Sequence, residues 1–196
     1  MRYDPHASAR RPPASPARPR DVQLCSLNPG VDRLAFSIGW EMEADGTILS
    51  QWAGRSIICS CAKLAYGHAQ AVISGEDTGQ GAGPVEITGG HTWAQCAEDV
   101  RALHAIAQAM RGQRFASGSI RLDNIKLMFE RDECGNPESM WTYVTKEANW
   151  LVEEFMLLAN RSAAKMLTEV YPESSFLRRH APPDMRKLVE LEAMAA

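Results

Sequence analysis

Hydrophobic and polar positions alternate strictly between Arg33 and Glu43, where Leu34, Phe36, Ile38, Trp40 and Met42 are separated by Ala35, Ser37, Gly39 and Glu41. This period of two predicts a half-buried β-strand. Asp45-Gly46 follows, a pair that tolerates the positive φ of a tight hairpin, and a return strand is predicted over Thr47 to Ser60. In that strand Ile48, Trp52, Ser56 and Ile58 share one face, and Gly54 is placed at a bulge. A short helix is predicted from the KLAY segment, Lys63 to Tyr66, to Ile73. The stretch from Ser74 to Gly90 is rich in glycine and poor in large apolar residues, and reads as a flexible insertion.

Helical spacing resumes after Thr92, a capping residue. Val100, Leu103, Ile106, Ala107 and Met110 recur on one face until about Phe115, and Gly118 ends the unit. Two strand-like segments, Ile120 to Glu130 and Met140 to Thr145, are joined through the turn formers Asp132, Gly135, Asn136 and Pro137. The strongest helical pattern lies from Glu147 to Tyr171, with a wide apolar stripe through Leu151, Val152, Phe155, Met156, Leu158, Ala159, Ala163, Met166 and Val170. At 100° per residue Glu153 and Asn160 fall nearly in line at the edge of that stripe. A short strand over Ser174 to Arg179 and a helix after Pro182-Pro183 are predicted beyond it. The fold class that follows is α/β: twisted, mostly antiparallel strands packed against one long core helix.

Composition restricts the chemistry more than it identifies it. In 196 residues, 45% are hydrophobic and 23% charged, the proportions of an ordinary globular domain, and the net charge of -3 gives no overall field to gather nucleic acid. Any RNA contact must therefore come from a local groove. No stretch approaches the roughly 18 apolar residues of a membrane span, so a soluble chain without a membrane partner is expected; its location is separately read as cytoplasmic, with the nucleus as the alternative. Residues 1–21 are rich in Arg, Pro, Ala and Ser and are read as a disordered leader, with folded structure over 22–196 and the insertion near 74–91. Five cysteines without a C-x-x-C pair favour free thiols in a reducing compartment. Cys59 and Cys61, two apart on a strand, are read as small buried thiols.

Several ordered segments carry a family likeness: LCSLNPGVDRLAF from Leu24, RSIICSCAKLAYGHAQ from Arg55, GSIRLDNIKL from Gly118, LVEEFMLLAN from Leu151 and LRRHAPP from Leu177. Together they resemble the catalytic (RNB) domain of the ribonuclease II/R family, most closely its eukaryotic exosome-type and Dis3-like members, and they cover part of such a domain. The resemblance implies hydrolytic 3′-to-5′ decay of single-stranded RNA to nucleoside 5′-monophosphates, with association to the exosome in some members. It also implies Mg²⁺ held by an aspartate cluster that the family places upstream of the LCSLNP segment. The leader Met1 to Arg20 offers only Asp4, so no catalytic or metal-binding residue is assigned and the chain alone is expected to be inactive.

By the same resemblance, Tyr66 matches a tyrosine near the scissile phosphate, and Glu153 matches a residue that contacts the sugar of the 3′-terminal nucleotide. A carboxylate accepting from ribose hydroxyls is a physical means of preferring RNA to DNA. Leu122 stands where bacterial members carry a phenylalanine that clamps the last base, Asn160 could orient Glu153 or meet a phosphate, and Arg55 and Lys63 are candidate phosphate contacts. Glu154 reads as a helix-dipole carboxylate. Tyr66 and Glu153 are expected to converge on one RNA channel. A competing reading is a catalytically inactive RNA-binding or scaffold fragment, and a further one is an unrelated fold.

Overall fold

The structure is a computed structural model, and it describes residues 25–76, 85–121, 126–132, 135–179, 181–182 and 184–195. Two antiparallel hairpins and four helices make up the described chain: β1 Asp32–Met42, β2 Ile48–Cys59, α1 Tyr66–Ile73, α2 Trp93–Ala116, β3 Leu127–Arg131, β4 Pro137–Thr142, α3 Glu147–Val170 and α4 Met185–Ala195. The expected mixture of helix and antiparallel strand is present. Its strands are divided between two separate two-stranded ladders, β1 with β2 and β3 with β4.

The register of the first hairpin rearranges the predicted faces. Leu34 pairs with Ile57, Phe36 with Arg55 and Gly39 with Trp52, so even positions of β1 share a face with odd positions of β2. The apolar set of each strand therefore lies on the opposite face from that of its partner. Leu34, Phe36 and Ile57 all lie on the outer, exposed face. The predicted bulge at Gly54 does not occur; the ladder runs evenly through Ser37 and Gly54 and slips instead between Glu41 and Met42, beside the turn. Gly39 is the glycine this ladder needs, because a Cβ there would lie 2.3 Å from the Trp52 indole nitrogen. The indole occupies the space a side chain would take.

The turn of this hairpin is tied to α2. Gly46 has φ +89°, and a Cβ on it would approach Met110 Cγ to 2.7 Å. The Asp45 carboxylate accepts from the Thr47 backbone N–H at 2.8 Å, closing an Asx-type turn. Gln113 Nε2 donates to the Asp45 carbonyl at 2.9 Å, so the last turns of α2 meet the hairpin tip through both packing and a hydrogen bond.

Helix α2 starts where Thr92 predicts: its side chain accepts from the Gln95 backbone N–H, and Gln95 Oε1 accepts from the Thr92 N–H, a reciprocal capping box. Val72 of α1 packs with Ala97 and Val100 of α2, and Leu64, Ala69, Ile73 and Trp93 close around them. At the start of α1, His68 is buried and its Nδ1 accepts from the Ala65 N–H at 2.9 Å, satisfying an orphan helix donor. Gln70 Oε1 accepts from the Ala148 N–H at 3.1 Å, which ties α1 to the first turn of α3.

The chain divides into two compact units after Phe155, within α3. Along α3 the buried line runs through Glu154, Leu158 and Ser162, whereas Val152 and Met156, placed in the core by periodicity, are exposed. In the second unit no strand forms at Ser174 to Arg179. Ser175 Oγ instead donates to the Leu167 and Tyr171 carbonyls, so the chain caps the end of α3 rather than running extended. Helix α4 begins with Asp184, whose carboxylate accepts from the Arg186 N–H.

The cysteines also depart from expectation. Cys59 ends β2 on the outer face and is exposed, as is Cys25, while Cys61 lies at the bend beyond the strand and is half-buried. Cys96 is the buried thiol, held above its ordinary range by burial and then by the Cys61 side chain beside it. Of the predicted insertion, residues 77–84 lie outside the described residues; past them Ile87 bridges Ala62 and the Thr88 N–H donates to the Cys61 carbonyl at 2.9 Å.

Two outcomes follow for the hairpin. Gly46→Ala should lower stability by about 1–2 kcal/mol through the left-handed backbone it must retain, measured as a lower urea midpoint with unchanged slope. The Asp45 carboxyl is held below its ordinary value chiefly by the Thr47 N–H. Because its folded pKa is depressed, its contribution exists above the unfolded value and disappears as pH falls through the folded one. Melting of the native chain and of Asp45→Ala, compared across pH, should therefore differ at neutral pH and converge in acid. A difference that persists undiminished there would contradict this linkage.

Candidate nucleic-acid interface

Two helices build the most concentrated group of charges and rings among the described residues. Arg111, Arg114 and Phe115 lie one turn apart at the end of α2, and Trp150, Glu153 and Glu154 have the same spacing at the start of α3. The start of α3 is fixed locally, since Asn149 Oδ1 accepts from the Lys146 N–H at 2.9 Å in the manner of a cap.

Glu154 is only 4% exposed, far too buried for a carboxylate left to a helix dipole. Arg114 meets it side-on, with Nε 3.1 Å from Oε2 and Nη2 2.5 Å from Oε1, and Arg111 Nη1 adds a contact at 3.4 Å. This forked geometry is the strong form of a guanidinium-carboxylate pair. The pairing holds the Arg114 guanidinium above its ordinary pKa, against the opposing effect of burial. The expectation for Glu154 is thus corrected: it is a buried structural anion.

Glu153, its neighbour, is 42% exposed in its side chain and faces the same arginines, 3.3 Å from Arg114 Nη2 and 3.8 Å from Arg111 Nη1. Aromatic rings hold the guanidiniums in place. Arg111 lies 4.8 Å from the Phe115 ring and 4.7 Å from Trp150, Arg114 is 4.9 Å from Phe115, and Arg121 is 5.1 Å from Trp150. A polar cleft of about 280 Å³ opens here, lined by Arg111, Arg114, Arg121, Thr145, Trp150 and Glu153 among others. Within the last turns of α2, Gly112 is the position whose added Cβ would meet nothing within 4 Å.

The other predicted residues are placed elsewhere. Tyr66 begins α1, is half-exposed, and lines a cleft of about 540 Å³ with Leu64, Val100, Leu103, Leu151 and Val152. Leu151 and Val152 project on the flank of α3 opposite to Trp150 and Glu153, since each residue turns by about 100°. Tyr66 and Glu153 line separate clefts, and a third, of about 370 Å³, shares Trp150 with the cleft of Glu153 and Leu151 with the cleft of Tyr66. Arg55 is exposed on β2 opposite Phe36, and Lys63 is exposed with Nζ 3.4 Å from Asn28 Oδ1. Asn160 is exposed on α3 in the second unit, and Leu122 lies outside the described residues.

Sequence reasoning missed Arg111, Arg114, Phe115 and Trp150. A signal was present in the matching spacings R-x-x-R-F and W-x-x-E-E on two predicted helices, which offer two cations to two carboxylates. Among the described residues no group of three or more His, Cys, Asp and Glu could hold a metal ion. These residues do not fit a divalent-cation cage, and no hydrolytic step is assigned to them. No helix among them is long and apolar enough to cross a membrane.

Known proteins resemble this chain over most of its length. DIS3-like exonuclease 2 of Arabidopsis thaliana is 44% identical over 171 residues, which cover 87% of this chain and 16% of that protein. The Inactive exonuclease DIS3L2 of the same plant is 43% identical over 171 residues, with 87% and 16% covered. The human Exosome complex exonuclease RRP44 is 37% identical over 162 residues, covering 82% of this chain and 15% of its own. The chain thus spans about a sixth of the length of these relatives. Among solved structures, Mycoplasma genitalium RNase R in complex with ribose methylated single-stranded RNA superimposes with a TM-score of 0.72 at 22% identity, over 86% of this chain and 24% of that one; this likeness is one of fold. The RNB domain family model matches residues 19–196, and with relatives this similar in sequence the chain belongs to the RNB domain family.

Proposed function

We propose that this chain is the RNA-holding portion of a hydrolytic 3′-to-5′ exoribonuclease that degrades single-stranded RNA to nucleoside 5′-monophosphates. The observation that carries the reading is Glu153, a half-exposed carboxylate held by two arginines at the rim of a polar cleft. A carboxylate only accepts hydrogen bonds, and a ribose terminus offers it adjacent 2′- and 3′-hydroxyl donors, of which deoxyribose lacks the 2′. Arg121, which lines the same cleft, is assigned to compensate the charge of the neighbouring phosphate. Tyr66, on the other flank of α3, is assigned a separate contact in which its ring packs on a nucleotide and its hydroxyl reaches phosphate. Arg55, Lys63, Asn160 and Leu122 are retained as weaker contributors along the strand.

The cation on which such hydrolysis depends is taken to be Mg²⁺, supplied with its ligands from outside the residues described here. Residues 22–196 are read as part of the RNB domain, preceded by an Arg/Pro-rich leader and interrupted near 74–91. A cytoplasmic location is favoured over a nuclear one, and exosome association is carried over from the relative named as an exosome subunit. A second reading, an inactive RNA-binding or scaffold fragment, is favoured by the similarity to a relative named as inactive.

Two measurements test these readings. With Mg²⁺ and a 3′-labelled oligoribonucleotide, the chain alone should bind without releasing mononucleotides; release would overturn the assignment of the cation site to other residues. Glu153→Ala should weaken binding to an oligoribonucleotide by about tenfold, as expected for hydrogen bonds to a charged group, and leave the matching oligodeoxyribonucleotide nearly unchanged. Equal losses for both would refute the ribose contact.

A further inference from the structure

We infer that Arg114 is a positioning residue for Glu153, and that buried Glu154 is the post that fixes Arg114. The inference rests on the reading of Glu153 as the ribose contact. Arg114 presents two nitrogens to Glu154 in a side-on fork, 3.1 Å from Oε2 and 2.5 Å from Oε1, and this fixes the plane of the guanidinium. Phe115, 4.9 Å away, supports it through its ring. The same Nη2 that meets Glu154 then lies 3.3 Å from Glu153 Oε1. A guanidinium with no freedom of its own thus sets where the exposed carboxylate lies.

The arrangement assigns different work to two adjacent glutamates. Glu154, at 4% exposure, spends its hydrogen-bonding capacity inside the protein, whereas Glu153, at 42%, keeps a solvent-facing side. Both arginines reach Glu153 on Oε1, which leaves Oε2 to accept a ligand hydroxyl. Two cations against one buried carboxylate would leave a surplus positive charge; Glu153 balances it and is in turn held ready. A long acidic side chain freed from Arg114 would sample several rotamers, and a terminal ribose would have to order it on binding.

The test uses the full chain and fluorescence anisotropy with two probes: an oligoribonucleotide, and the same strand with a single 2′-deoxynucleotide at its 3′ end. The readout is the ratio of the two affinities, which a general loss of stability does not move. Glu153→Gln should reduce that ratio by about tenfold. Arg114→Met should reduce it by about three- to tenfold, and should have no further effect in the Glu153→Gln background. Arg114→Lys keeps a cation against Glu154 but loses the fork, and it should lower the ratio too, which covers the case where the methionine variant does not fold.

If Glu153→Gln leaves the ratio unchanged, the ribose reading itself fails. Should Glu153→Gln collapse the ratio while both Arg114 variants preserve it, the ribose reading stands and the positioning role is overturned. Arg114 variants that weaken both probes equally would make Arg114 a direct phosphate contact, which also overturns the inference.

Discussion

A carboxylate buried to the degree of Glu154 must be neutralised where it lies, and that requirement organises the join between α2 and α3. Neutralisation takes two arginines from the end of α2, and the arginines in turn need rings to lie on and a second anion to balance them. Phe115, Trp150 and Glu153 supply these. The charged cleft is thus the outer layer of a structure whose inner layer is one desolvated ion pair. The apolar core between α1 and α2 fixes the other end of the same helix, so α2 carries both the packing and the charge.

Three guanidiniums line one cleft of a chain whose net charge is -3. Arg111 and Arg114 are balanced where they lie by Glu153 and Glu154, and Arg121 adds a third guanidinium beside the Trp150 ring. Aromatic rings keep the cations gathered despite their mutual repulsion. RNB domain membership supplies the chemical context, and the geometry adds which side chains are free to face a ligand and which are consumed internally.

Local signals in the sequence were read well. Thr92, Asp45-Gly46 and Gly118 act where capping and turn chemistry place them, and the long helix at Glu147 differs from expectation only at its last residue. Features that depend on pairing between distant segments were not legible. Alternation showed that β1 and β2 are strands but could not show that their apolar faces lie on opposite sides, because register is a property of two strands together. The helical stripe counted Val152 and Met156 as core and Glu154 as surface, since hydrophobicity cannot register a charge buried by arginines 40 positions away. Glu153 was found through family likeness; its supporting arginines were not, because nothing in either helix alone reveals that it faces the other.

The last turns of α2 leave little room for sequence drift. Met110 fills the space beside the hairpin glycine, Arg111 and Phe115 stack, Gln113 holds the Asp45 carbonyl, and Arg114 carries the fork. A Cβ at Gly112 would meet nothing within 4 Å, and glycine is also the weakest helix former there. An alanine at that site would stiffen the backbone beneath every neighbour without touching any of them.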